Sequence, residues 1–103
     1  MMKYFIYILY SENSNIYYTG YTSNVEKRIS EHNESDKNTF TSKHRPWILK
    51  EYFEVLGTEA DAMKIEKFIK KQKSKIFIEK ILDSETIFTG ILAQLVRVPK
   101  LRD

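Results

Sequence analysis

Residues 3–21 constrain the fold of this chain more than any other stretch. Residues 3–10, KYFIYILY, are β-branched and aromatic with no polar alternation. That pattern predicts a strand buried on both faces. Ser11–Asn15 is a turn cluster, and residues 16–21, IYYTGY, read as a second strand. Two such runs joined by a short polar turn predict a hairpin.

The following segments supply its covering. Ser23 and Glu26 match a capping box, which opens a helix running to about Asn33. Residues 34–46 are polar, contain Pro46 and read as a loop; residues 47–55, WILKEYFEV, read as a third strand. Gly57-Thr58 breaks that strand, and Thr58 caps a helix through Lys71, followed by a short helix at about 74–82. Over 85–98 the apolar residues Ile87, Phe88, Ile91, Leu92, Leu95 and Val96 recur at helical spacing, and Pro99 stops the run. Gly90 weakens that helix by about 1 kcal/mol relative to alanine. The expectation is an α+β fold, a small three-stranded antiparallel sheet flanked by helices. Residues 1–82 would form the domain, and 83–103 a helical extension packed on it or, less simply, a face for a weak homodimer.

Composition narrows the function. At 103 residues the chain is one domain. It has no cysteine, which excludes disulfides and thiolate metal sites. No apolar run reaches the length of a membrane span. The segment Met1–Tyr7 is too short and too aromatic for a signal peptide, so a cytoplasmic protein is expected. The net charge of +3 is unevenly placed: residues 64–80 hold seven lysines against Glu66 and Glu79. Lys37, Lys43, Arg45 and Lys50 stand against Glu51 in a second basic segment. Two basic segments on a near-neutral body suit either a polyanion-binding face or a solvated helix surface.

Three features carry chemistry. Arg28 and His32 are four apart on the first helix, and His32 lies between Arg28 and the apolar Val25 and Ile29, so it points toward the sheet. Inward-facing ionisable groups need partners there, either a phosphate or a structural tyrosine or glutamate. On the second helix Glu66 falls roughly 40° from Ala62, inside the apolar arc. A carboxylate there needs a cation, either Lys70 four residues on or a divalent metal. One carboxylate without a His or Cys cluster is not a structural zinc site. On the hairpin, Tyr18 and Gly20 face the same way, Tyr7 sits on the other arm, and Gly20 leaves space for a substrate's close approach.

Phe5-Ile6-Tyr7 and Tyr18-Thr19-Gly20, followed by Arg28, His32 and Glu66, resemble the ordered motif of the GIY-YIG nuclease superfamily. The resemblance covers roughly residues 3–82 and is nearest to small single-domain members related to the N-terminal nuclease domain of the UvrC repair protein. Thr41–Trp47 also looks like the basic loop before the third strand in that subgroup. The resemblance implies a metal-dependent endonuclease acting on DNA, with a role in repair or recombination. By that resemblance Glu66 would hold a single Mg²⁺ or Mn²⁺ and Arg28 would neutralise charge on the phosphate. Tyr7, Tyr18 or His32 would handle the water's proton. Gly20, Lys43, Arg45, Lys70, Lys71 and Lys73 would contact the nucleic acid. Two departures stand out: Phe5 replaces the first glycine, and no asparagine follows Asn38 to match the family's later polar residue. A catalytically silent nucleic-acid-binding module is the competing reading.

Overall fold

The structure is a computed structural model that describes residues 2–99. Met1 and the last four residues of the expected 83–103 extension lie outside the described residues. The strands are β1 (Tyr4–Ser11), β2 (Ile16–Thr22), β3 (Trp47–Val55) and β4 (Leu95–Arg97), in sheet order β2-β1-β3-β4 with antiparallel neighbours throughout. The helices are α1 (Val25–Glu34), α2 (Glu59–Gln72) and α3 (Lys75–Leu82), with 3₁₀ turns at Thr41–His44 and Gly90–Gln94.

The central strand is β1, and Ile6, Tyr7, Ile8 and Leu9 are all buried, as an unalternating apolar run requires. Its side chains divide between two faces. Ile6 and Ile8 join Phe53, Val55, Ala62, Ile65, Ile69, Ile78 and Ile81 beneath α2 and α3. Tyr7 and Leu9 join Trp47 on the other face, with Ile29 of α1 packed against them. Ile65 and Ile69 are buried through one face of α2, each worth about 2 kcal/mol of hydrophobic burial. Thr58 and Asp61 form a reciprocal capping box at the start of α2, and Lys73 closes it in the left-handed region at φ 47°.

Three expectations are corrected. The cap of α1 is Asn24, whose side chain accepts from the Lys27 amide, not Ser23. Thr22 Oγ1 accepts from the Asn24 amide and thereby places Asn24 at the cap. The sheet has four strands rather than three, and residues 85–98 are not a helix. Gly90 adopts φ +61°, which breaks a continuous helix, and the chain then extends so that Val55 pairs with Leu95 and Phe53 with Arg97. Pairing there satisfies backbone groups at the outer edge of β3 that a helix would leave open. Arg97 fixes the segment: its guanidinium lies 5.1 Å and 5.4 Å from the Phe53 and Phe88 ring centroids and 3.7 Å from Glu51. It also donates to the carbonyls of Ile81 and Asp83. Phe88, Ile91 and Leu92 pack on the core, so most of the apolar stripe, read first as packed on the domain and less simply as a dimer face, is used within the chain.

Candidate active site

The site forms where the edge strand β2 meets α1 on one face of the sheet and α2 on the other. Strand register puts Tyr7 opposite Gly20. A Cβ on Gly20 would lie 2.2 Å from the Tyr7 hydroxyl oxygen and 2.4 Å from Cζ. The space left by Gly20 is therefore filled by the Tyr7 phenol, which corrects the expectation that a substrate enters it. Packing over Gly20 sends the phenol toward α1, where Tyr7 Oη and His32 Nε2 share a buried 2.7 Å hydrogen bond. His32 is 3% exposed, in keeping with its inward position on the helix wheel.

Tyr18 is the hinge of the arrangement. His32 stands against it from the α1 side, with ring centroids 5.1 Å apart. From the α2 side the Lys70 amine lies 4.7 Å from its ring centroid. Lys70 also pairs with Glu66 at 3.5 Å. Glu66 is neither core nor free surface: its side chain is 22% exposed and sits at the rim, so the i,i+4 pair weighed from the sequence does form. Arg28 pairs with Glu31 at 3.1 Å and lies beside the Tyr7 phenol, whose acidity it strengthens.

Burial sets the protonation states. Burial pushes the Tyr7 phenol well above its ordinary range, although Arg28 pulls the other way. Burial, then the Arg28 cation, with Lys70 and Arg45 adding, lowers His32 to about 4. Both partners of the buried bond are therefore neutral near pH 7, and the phenol can donate to the imidazole. Burial also works against the charge of Arg28, but Glu31 and Tyr7 more than offset it.

Glu66 is the carboxylate open to a metal. Among the described residues no three His, Cys, Asp or Glu side chains gather at one point, so a closed protein cage is not built. A single half-buried carboxylate beside a cleft fits a hydrated hard cation that keeps waters and shares phosphate oxygens. Lys70, 44% exposed, is the cation such an ion would displace.

The basic residues separate. Lys70 and Lys73, with Lys75, line a cleft of about 460 Å³ along the β2 edge. Arg28 and Lys37 line a second, of about 410 Å³, and Tyr18 borders both. Lys43 and Lys71 are exposed and line neither cleft. Arg45 is turned inward: its guanidinium donates to the carbonyls of His32, Glu31 and Ser35 and closes the C-terminus of α1. That corrects its reading as a nucleic-acid contact, because those donors are already engaged. Lys37 and Lys75 belong to the two basic segments seen in the sequence but were not singled out there. Sequence reasoning missed Phe40, which carried a signal as an aromatic within a polar loop.

The sequence matches the family described as the GIY-YIG catalytic domain over residues 3–81. A UPF0213 protein of Staphylococcus haemolyticus is 36% identical over 84 residues, which span 78% of this chain and 100% of that protein. One from Listeria welshimeri is 37% identical over 87 residues, 81% of this chain and 94% of its own length. The UPF0213 protein YazA of Bacillus subtilis is 31% identical over 86 residues, 81% and 85% of the two chains.

Proposed function

Since the chain belongs to the GIY-YIG catalytic-domain family, a nuclease family, we propose that it is a divalent-metal-dependent endonuclease hydrolysing DNA phosphodiester bonds. The observation that carries this reading is the buried Tyr7–His32 hydrogen bond with a guanidinium beside the phenol. A packed core has no need of that combination. A hydrolytic site needs it to hold a proton acceptor and a phosphate-binding cation at one place.

The residues divide the work. Arg28 binds a non-bridging phosphate oxygen and neutralises the charge that grows there. The Tyr7 oxygen takes a proton from the attacking water as its own proton passes to His32 Nε2. No free phenolate forms, since burial weakens the phenol as an acid and would make the anion costly. The new P–O bond forms as the bond to the leaving oxygen breaks, and that oxygen takes its proton from solvent. The cations that lower His32 include Arg28 and Lys70, so a bound phosphate offsets them and makes the imidazole a better acceptor. Tyr18 orients the assembly between His32 and Lys70. A divalent ion at Glu66 supplies, when bound, Lewis-acid polarisation of the phosphate.

The test is cleavage of duplex, branched, nicked and single-stranded DNA with Mg²⁺ or Mn²⁺. Wild type should cut at least one, and Arg28→Ala and Glu66→Ala should each lose about 100-fold or more. Variants that cut as well as wild type would place the chemistry elsewhere. Salt-sensitive binding without any cutting would favour the silent binding module.

A further inference from the structure

Phe40 is 55% exposed, yet the turn that carries it is braced. Ser42 Oγ donates to the Thr39 carbonyl at 2.7 Å and accepts from the Thr39 amide at 3.0 Å. The Trp47 indole N–H donates to the Thr41 carbonyl at 2.8 Å and ties the turn to the buried face of β3. His44 stands 4.6 Å from the Phe40 ring centroid, and Ser14 holds His44 in turn through a 2.7 Å hydrogen bond. A large apolar ring is thus held more than half exposed by a braced turn. Burial would have been the favourable alternative.

Its position gives the ring a use. Phe40 lies over Tyr18 with centroids 6.4 Å apart and planes inclined by 29°, a stacked offset geometry. It borders the same cleft as Arg28, His32 and Lys37. An aromatic face beside phosphate-binding cations is the pairing that seats a nucleotide, with the base on the ring and the phosphate on the charge. We propose that Phe40 is the stacking platform for an unstacked nucleobase next to the scissile phosphate. This rests on the nuclease reading and adds to it a requirement on the substrate. A base can lie on Phe40 only if one of its faces is free, as at a strand end, a flap, a bulge or in a single strand. Stacking tolerates any base, so the subsite selects DNA structure and not sequence.

The experiment uses the full chain carrying Glu66→Gln, to prevent cutting, and a short fluorescein-labelled single-stranded oligonucleotide of mixed sequence. Binding is read by anisotropy over a range of salt. Phe40→Ala should weaken binding about five-fold or more. Its salt slope should stay unchanged, because no phosphate contact is lost. Phe40→Leu keeps apolar bulk without a π face and should behave like Phe40→Ala. Phe40→Trp should bind at least as tightly as the parent, and its added indole emission should be quenched by the oligonucleotide. Phe40→Ala binding within two-fold of its parent, or unquenched Phe40→Trp emission, would overturn the platform and leave the nuclease reading standing. No salt-sensitive binding by the parent would remove both.

Discussion

Tyr7 and His32 form a nearly sealed half of the site, with His32 reaching the wall of the Arg28 cleft, whereas Glu66 and Lys70 stand at its solvent-facing rim. The sealed half is fixed by backbone register, since Tyr7 has one place to lie once Gly20 faces it. The open half is set by two long side chains on one helix face, paired with each other while Lys70 also lies over Tyr18. Rigid burial suits a proton route, which tolerates little displacement. An exposed ion pair suits a position that must admit a metal and a phosphate, because separating it costs little. Substitutions in the two halves should therefore fail in different ways.

The largest effect on stability belongs to Gly20→Ala. A methyl group there collides with a ring enclosed by core residues, and overpacking of this kind costs about 3 kcal/mol. Denaturant unfolding would read it as a lowered midpoint, and cleavage should fall with it because Tyr7 is displaced. Next comes acid. His32 is held near 4 in the fold against an ordinary 6.5, so the unfolded chain binds more protons between those values. The stabilisation is complete above about pH 6.5 and is lost as pH falls toward 4, about 2 kcal/mol by pH 4.5. Unfolding midpoints from pH 7 to pH 4.5 would trace this loss, and His32→Gln should flatten the curve relative to wild type. Tyr7→Phe removes one buried hydrogen bond and leaves His32 without it, at a cost of about 1 kcal/mol by thermal or urea unfolding. The smallest effect is expected for Lys70→Met, which removes an exposed pair and a cation–π contact worth under about 1 kcal/mol together. Its stability should barely change, while the salt slope of DNA binding falls by about one. A large loss of stability in Lys70→Met would erase the distinction between the halves.

The sealed half was also the more legible in sequence. The unbroken apolar run of β1, the turn at Ser11–Asn15 and the spacing of Tyr18 and Gly20 lead directly to the hairpin. The helix wheel places His32 inward because it lies between Arg28 and the apolar pair Val25 and Ile29. The open half was legible only in outline. The wheel puts Glu66 inside the apolar arc but does not separate rim from core, a matter of a few ångströms of side-chain reach. Arg45 looked like a phosphate contact because isolated basic residues carry no sign of the carbonyls they cap. Leu95 and Val96 fit a helical stripe because apolar spacing cannot register that Gly90 sits at positive φ. Pairing of β4 with β3 is a long-range choice, made by an open sheet edge far earlier in the chain.

The claim that the sealed pair is the proton route of a nuclease is tested most directly by Tyr7→Phe. The single-turnover cleavage rate with Mg²⁺ would be measured for wild type and Tyr7→Phe on a substrate that wild type cuts, with both proteins folded. The account predicts a loss of about 100-fold or more, far beyond the modest change in stability. Equal rates would contradict it, because the phenol oxygen would then have no part in moving the proton.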